Sequence, residues 1–304
     1  MDTRELLIRY AAGERDFHSI DLSGASLRGA NLAGISLKRA ILVGADLSGI
    51  NGVGADLNGA IFYQANLTAA CLSGAKITGA NLSDANLDQA DFSGANLWRA
   101  ELKKAVLTKS NLGRSNLHAA NLKQANLRQA YLNGANLTEA NLTEADLTGA
   151  SLGRAVLTDA KLILAIFQAA NLEQADLVKA NLTHANLNRA NLIGANLNAA
   201  NLDQANLNGV NLTGANLFRA NLINVQLALA CLRGTNLDWA ELTEANLTEA
   251  DLSWASLDNT NLSGANLHQA KLTDVKLDSA ILRGANINSA NLPQTDLEPR
   301  TLSR

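Results

Sequence analysis

From residue 20 to residue 299 the chain keeps a five-residue phase without one slip. Of the 56 blocks, 50 carry Leu at the third position, and the exceptions are Phe62, Phe92, Phe167, Ile77, Ile287 and Gly52. The first position is Ala in 45 blocks, and the second is usually Asn or Asp. A fixed internal period dictates architecture before any other feature does. In an α-helix five residues turn through about 500°, so the apolar positions would spiral around the axis and leave no buried stripe. A plain strand needs a period of two. Ala and Leu stand two apart inside each block, which puts both on one side of an extended segment. The next apolar residue follows after three, so the chain must turn once per block. Repeated turning gives a coil whose Ala and Leu point inward and whose other three positions point outward. Successive coils stack about 4.8 Å apart as parallel strands, and parallel crossovers are right-handed in about 98% of cases. The expected fold is an all-β solenoid, a right-handed parallel coil.

Blocks such as Ala125-Asn126-Leu127-Arg128-Gln129 and Ala145-Asp146-Leu147-Thr148-Gly149 resemble the pentapeptide-repeat family, whose motif is A(D/N)LXX. The resemblance spans residues 20–299. It implies a right-handed quadrilateral parallel β-helix with four blocks per coil, and so about 14 coils. The opening segment Leu6 to Arg15 is similar to the N-terminal caps of cyanobacterial members. The family is mostly binding or structural, and a subset mimics DNA and binds type II topoisomerases.

An open solenoid exposes its apolar bore at the ends, so caps are expected. Asp2 and Glu5 form a capping-box pattern, Leu6 and Tyr10 share a helical face, and Gly13 suits a helix stop. These residues predict a short capping α-helix over about residues 3–12, lying on the first coil. Residues 1–19 are read as cap and lead-in, 20–299 as a single repeat domain, and 300–304 as a polar tail. Pro293 and Pro299 cannot donate ladder hydrogen bonds and are expected to stop it.

Chemistry is hard to place on this chain. His18, His118, His184 and His268 fall on different sides or distant coils and cannot share a metal. Cys71 and Cys231 are eight coils apart, roughly 38 Å at ~4.8 Å each, against the ~7 Å a disulfide spans. Two free thiols are expected. No phosphate loop, dinucleotide fingerprint, zinc spacing or nucleophile elbow occurs. Ser110 and Ser115 replace inward Ala and read as hydrogen-bonded core residues. The expectation is a non-enzyme with no cofactor and no metal. With no apolar run near 20 residues and no secretory leader, the chain reads as cytoplasmic with no membrane partner.

The surface carries the remaining candidates. Phe218, Trp239 and Trp254 project outward in three successive coils, with Arg219 beside Phe218. Aromatics and Arg are the residues that anchor interfaces. Between residues 99 and 128 stand Arg99, Lys103, Lys104, Lys109, Arg114, Lys123 and Arg128 against Glu101, a net +6. Between residues 238 and 258 stand Asp238, Glu241, Glu244, Glu249, Asp251 and Asp258 with no cation, a net −6. These two bands are candidate electrostatic docking sites, or the complementary halves of a weak antiparallel homodimer. Ile41, Val43, Ile61 and Tyr63 form an apolar spot that the N-terminal helix is expected to cover. Gly52 is the one missing inward Leu, where a bulge or bend, or else a ligand notch, is expected.

The favoured function is a rigid scaffold that presents flat faces to an unidentified protein partner, as a monomer or weak homodimer. The alternative is a DNA-mimic inhibitor or protector of topoisomerase (gyrase). The formal charge of −3 and the cationic band oppose that alternative, because a mimic needs dense negative charge along its length. Binding of nucleic acid through the basic band is disfavoured, since only Trp98 is near enough to stack on a base.

Overall fold

The computed structural model describes residues 1–277 and 279–291. The expected stop at Pro293 and Pro299 and the polar tail lie outside the described residues. The chain divides into two compact units, Met1–Ser151 and Leu152–Arg304.

Each unit is built from one rule. Every second residue of a block pairs, in parallel, with the residue 20 positions on. Unit 1 runs from Asp16↔Ser36 to Tyr131↔Ser151, and unit 2 from Val156↔Asp176 to Lys271↔Asn291. A step of 20 is four blocks, so each coil has four sides. We call side 1 the blocks opening at 20, 40, 60 and so on, with sides 2, 3 and 4 opening five, ten and fifteen residues later. Both units are therefore quadrilateral parallel β-helices.

The block sequence follows from where its backbone donors go. In Ala125–Gln129 the Leu127 N–H donates to Asp146 O at 2.7 Å and the Gln129 N–H to Thr148 O at 2.9 Å. The Asn126 N–H donates back to Ala105 O at 2.9 Å, and the Ala125 N–H closes the preceding turn on Leu122 O at 3.0 Å. The N–H of the fourth residue has no ladder acceptor and donates to the side chain two positions earlier, as Arg128 does to Asn126 Oδ1 at 3.2 Å. That is the physical reason for Asn or Asp at the second position: a short side-chain acceptor completes the set of donors. Asn adds a second bond, donating from Nδ2 to the Oδ1 of the coil before, as in Asn116 to Asn96 at 3.0 Å.

Each coil turns at the fifth residue, which takes a left-handed backbone. Gly fills many of these corners, but Gln129 (φ 56°), Leu229 (φ 60°) and Trp254 (φ 61°) adopt the same conformation. The left-handed backbone costs a non-Gly residue roughly 1–2 kcal/mol. The ladder and turn bonds offset it, each worth about 0.5–1.5 kcal/mol net.

Inside each unit Leu and Ala are buried along all four sides, with Phe17, Phe62, Phe92 and Phe167 as the large exceptions. The inward polar residues are satisfied. Ser110 Oγ donates to Leu107 O at 2.8 Å and Ser115 Oγ to Leu112 O at 2.7 Å. Thr235 Oγ1 donates to Leu212 O at 2.9 Å and Thr260 Oγ1 to Leu237 O at 2.7 Å. Among the described residues no buried side-chain N or O lacks a partner.

Unit 1 opens with α1 (Thr3–Ala11), whose first turn is capped by Asp2 accepting from the Glu5 N–H at 2.7 Å. Gly13 follows at φ 100°, a conformation open to glycine, and its N–H bonds Tyr10 O. Leu6 is fully buried, and Tyr10 Oη donates to Ala33 O at 2.8 Å on side 3 of the first coil. The helix does not cover the side-1 spot: Ile41, Ile61 and Tyr63 stay exposed. The hydroxyl of Tyr10 ties the helix to side 3, away from that spot.

Gly52 is neither a bulge nor a bend. Its N–H donates to Cys71 O at 2.8 Å and its carbonyl accepts from Ala55 N at 3.0 Å, the regular ladder and turn bonds of a third position. The volume is refilled from its surroundings. A Cβ on Gly52 would lie 2.8 Å from Leu72 Cδ2, so the Leu72 side chain occupies the vacated space. Ile50 and Phe62 close in from the other walls, leaving an apolar void of about 10 Å³. That volume excludes a ligand notch.

Candidate functional site

The aromatic candidates lie on and beside side 4 of unit 2. Phe218 is the fourth residue of its block and half-buried, while Arg219, Trp239 and Trp254 are corner residues and exposed. Arg219 and Trp239 stand one coil apart on the same corner, the Arg219 N–H bonding Asp238 O and the Trp239 N–H bonding Asp258 O. Trp254 sits at the opposite edge of side 4, its N–H bonding Thr273 O. Both indoles are 53% exposed. Their backbones are held by the ladder, so the rings are displayed from fixed positions.

The rings differ in what already touches them. The Arg233 guanidinium lies 4.5 Å from the Trp254 ring centroid, and the indole N–H of Trp254 donates to Asp274 Oδ2 at 3.2 Å. Arg219 lies over Phe218 at 5.0 Å. Neither Arg233 nor Asp274 is apparent from local sequence. The signal was the 20-residue column, which places Asp274 one coil beyond Trp254.

The basic band is a girdle rather than a patch. Arg99, Lys104, Lys109 and Arg114 occupy four successive corners, with φ of 54°, 58°, 55° and 55°. Each points away from a different edge of one coil, so a flat partner meets two of them at most. Lys103 and Lys123 share side 1 in adjacent coils, where the Lys104 N–H bonds Lys123 O. Lys123 reaches Glu144 at 3.6 Å and Arg128 reaches Asp146 at 3.0 Å. A linear window misses both partners because they come from the next coil. Gln124 and then Lys123 hold the Glu144 carboxyl below its ordinary range.

The acidic band is similarly dispersed. Glu241 stands on side 1 and accepts from Asn261 Nδ2 at 2.9 Å. Glu244 and Glu249 are corner residues, and the Glu244 carboxylate lies over Gly264. Asp251 lies on side 3. Partial burial pushes its pKa up, but the Ser253 hydroxyl and N–H, helped by Lys271 and Arg233, outweigh it and hold the pKa below the usual range. Asp238 and Asp258 stack on side 4 beside Trp239, with Asp238 Oδ1 accepting from Ser256 Oγ at 2.6 Å and Asp258 N at 3.0 Å.

Among the described residues no cluster of His, Cys, Asp or Glu could hold a metal ion. Cys71 and Cys231 are free thiols, each half-buried. No helix among them is long and apolar enough to cross a membrane.

Comparison with known proteins gives the family. Eight stretches match the family model of pentapeptide repeats, at residues 16–51, 53–84, 85–124, 120–159, 165–204, 195–234, 235–274 and 260–298. The chain is similar to HetL, a pentapeptide repeat protein involved in heterocyst differentiation regulation from the cyanobacterium Nostoc sp. strain PCC 7120. Identity is 31% over 92% of this chain and 97% of that one, with a TM-score of 0.26. Rfr23, a pentapeptide repeat protein from the cyanobacterium Cyanothece 51142, is 39% identical over 30% of this chain and 60% of its own, with a TM-score of 0.23. QnrB1, a plasmid-mediated fluoroquinolone resistance protein, is 19% identical over 62% of this chain and 90% of its own, with a TM-score of 0.31. No curated protein matches the chain. The family model is matched repeatedly between residues 16 and 298, and the described bridges keep its five-residue register: the chain belongs to the pentapeptide repeat family.

Proposed function

We propose that this protein is a non-enzymatic scaffold that docks a protein partner on side 4 of unit 2, through Phe218, Arg219, Trp239 and Trp254. The observation that carries it is the pair of half-exposed indoles on a corner-locked backbone. Exposed Trp is an interface anchor, and an anchor that is already ordered loses little entropy on binding. Lys103, Lys104, Lys109, Arg114, Lys123 and Arg128 in unit 1, and Glu241, Glu244, Glu249 and Asp251 in unit 2, steer the encounter rather than anchor it. Charges spread over several sides set association rate and salt dependence more than affinity. α1 acts as the N-terminal cap, with Leu6 filling the bore and Tyr10 satisfying a first-coil carbonyl.

Affinity capture from lysate tests the proposal. Wild type is compared with the Phe218→Ala, Trp239→Ala, Trp254→Ala variant after both are shown to melt alike. A partner held by wild type and lost by the variant supports side 4. A partner held equally by both removes side 4 from the interface. A DNA supercoiling assay with gyrase separates this function from topoisomerase inhibition or protection: no effect is expected at micromolar protein.

A further inference from the structure

Five aromatic rings among the described residues already carry a cation from their own chain. Arg9 lies over Phe17, Arg15 over Tyr10, Arg99 over Trp98, Arg219 over Phe218 and Arg233 over Trp254, at 4.0–5.6 Å from the ring centroids. Trp239 has none. Among the described residues no Arg or Lys stacks on it, and its indole N–H has no acceptor, although the ring is 53% exposed.

Its surroundings are acidic. Asp238 precedes it, Asp258 stands beside it in the next coil with its main-chain carbonyl accepting the Trp239 N–H at 2.9 Å, and Glu241 follows two residues on. Two of the three carboxylates are oriented by bonds to Ser256, the Asp258 N–H and Asn261. Arg219, one coil back on the same corner, lies over Phe218. An open indole face attracts a cation through the ring quadrupole, and oriented carboxylates supply charge-assisted acceptors. A purely apolar partner would desolvate three carboxylates without pairing them, and an acidic one would add repulsion.

We infer that the partner presents a basic segment to this corner. One Lys or Arg side chain stacks on Trp239 and pairs with Asp238 and Asp258, while a neighbouring cation meets Glu241. This rests on the scaffold function proposed above and names the chemistry of its partner.

The test uses the full chain and a fluorescein-labelled peptide of four Gly-Arg repeats, with a peptide of four Gly-Glu repeats as control. Binding is read by fluorescence anisotropy at low salt. Saturable binding of the arginine peptide alone is expected, weakening as salt rises. Trp239→Leu keeps every charge, and Leu already occupies corners 164 and 229 with φ of 59° and 60°, so the fold is retained. This variant should bind about 2- to 5-fold more weakly, the strength of one exposed cation–π contact. Asp258→Asn should also weaken binding and flatten its salt dependence. Trp98→Phe, a ring in unit 1 already covered by Arg99 and outside the docking face, should bind as wild type.

Equal binding by wild type and Trp239→Leu, or binding of the glutamate peptide, would overturn the inference. If capture still depends on the three aromatics while the peptide ignores Trp239, the scaffold stands and its partner is not basic there. If both fail, both are lost.

Discussion

Restoring the missing Leu at position 52 should harm this protein, even though it brings the sequence closer to its own motif. The void beside Gly52 is about 10 Å³. At roughly 24 cal/mol per Å³ of cavity it costs only about 0.2 kcal/mol, so the site is effectively full. A Cβ would approach Leu72 Cδ2 to 2.8 Å, and three further carbons would have nowhere to go. Gly52→Leu should therefore cost about 1–3 kcal/mol through overpacking. Ile50→Ala alone should cost about 2–5 kcal/mol by opening a cavity. Together the two changes restore Ala and Leu to their motif positions, and the loss should fall well short of the sum. The expected coupling is about 1–3 kcal/mol. Long repeat arrays do not unfold in one step, so local stability is the cleaner readout. Hydrogen exchange at the Gly52 amide, bonded to Cys71 O, and at the Leu72 amide, bonded to Asp91 O, reports the affected rungs. A more protected Gly52→Leu variant, or strictly additive single changes, would refute the account of a refilled core.

Other consequences are open to measurement. Tyr10→Phe removes the bond to Ala33 O and should cost about 1 kcal/mol, seen as faster exchange confined to α1 and the first coil. Thr235→Val removes the donor to Leu212 O and should cost about 1 kcal/mol, and a neutral result in a denaturant melt would show that this carbonyl does not need it. Acid should weaken unit 1 through Asp46, whose pKa is lowered chiefly by the Ser48 side chain and N–H. Its pKa is depressed in the folded state, so the stabilisation is complete above the unfolded value of about 3.9 and disappears as pH falls through the folded pKa. Asp46→Asn, which keeps the acceptor for Ser48, should lessen the drop in melting temperature between about pH 5 and pH 2. A duplex DNA gel shift at moderate salt should show no retardation, because the corner cations 99, 104, 109 and 114 face outward from four edges; a shift abolished by Lys104→Gln would contradict that geometry.

The repeat was legible because it is a statement about side-chain direction. Leu127 and Ala125 had to point the same way, and a turn had to follow. The short helix was legible from Asp2, Glu5 and Gly13, since capping is local chemistry. What escaped was contact between residues about 20 apart. Asp146 beside Arg128, Glu144 beside Lys123 and Arg233 over Trp254 are neighbours by ladder step, and a contiguous window counts none of them. Gly52 escaped for another reason. A missing side chain says that volume is absent, but not which neighbour moves in, and Leu72 did so without breaking a rung. Ile41 and Ile61 stay uncovered because the Tyr10 hydroxyl holds the helix to Ala33 O on side 3, a contact that no local pattern in the sequence specifies.

The corner residues are held in register by their main-chain N–H groups whatever side chain they carry, which turns each edge of a unit into a graduated scale. In unit 2, Arg219 and Trp239 occupy consecutive marks, each held by its own N–H at 3.0 and 2.9 Å. Exchanging the two would slide the indole along the edge by one interval, about 4.8 Å, while every rung stayed in place. Few scaffolds allow a recognition group to be moved by a fixed distance without remodelling a loop. Here chemistry and position vary independently, so spacing between anchors can be tuned in whole steps to match a partner.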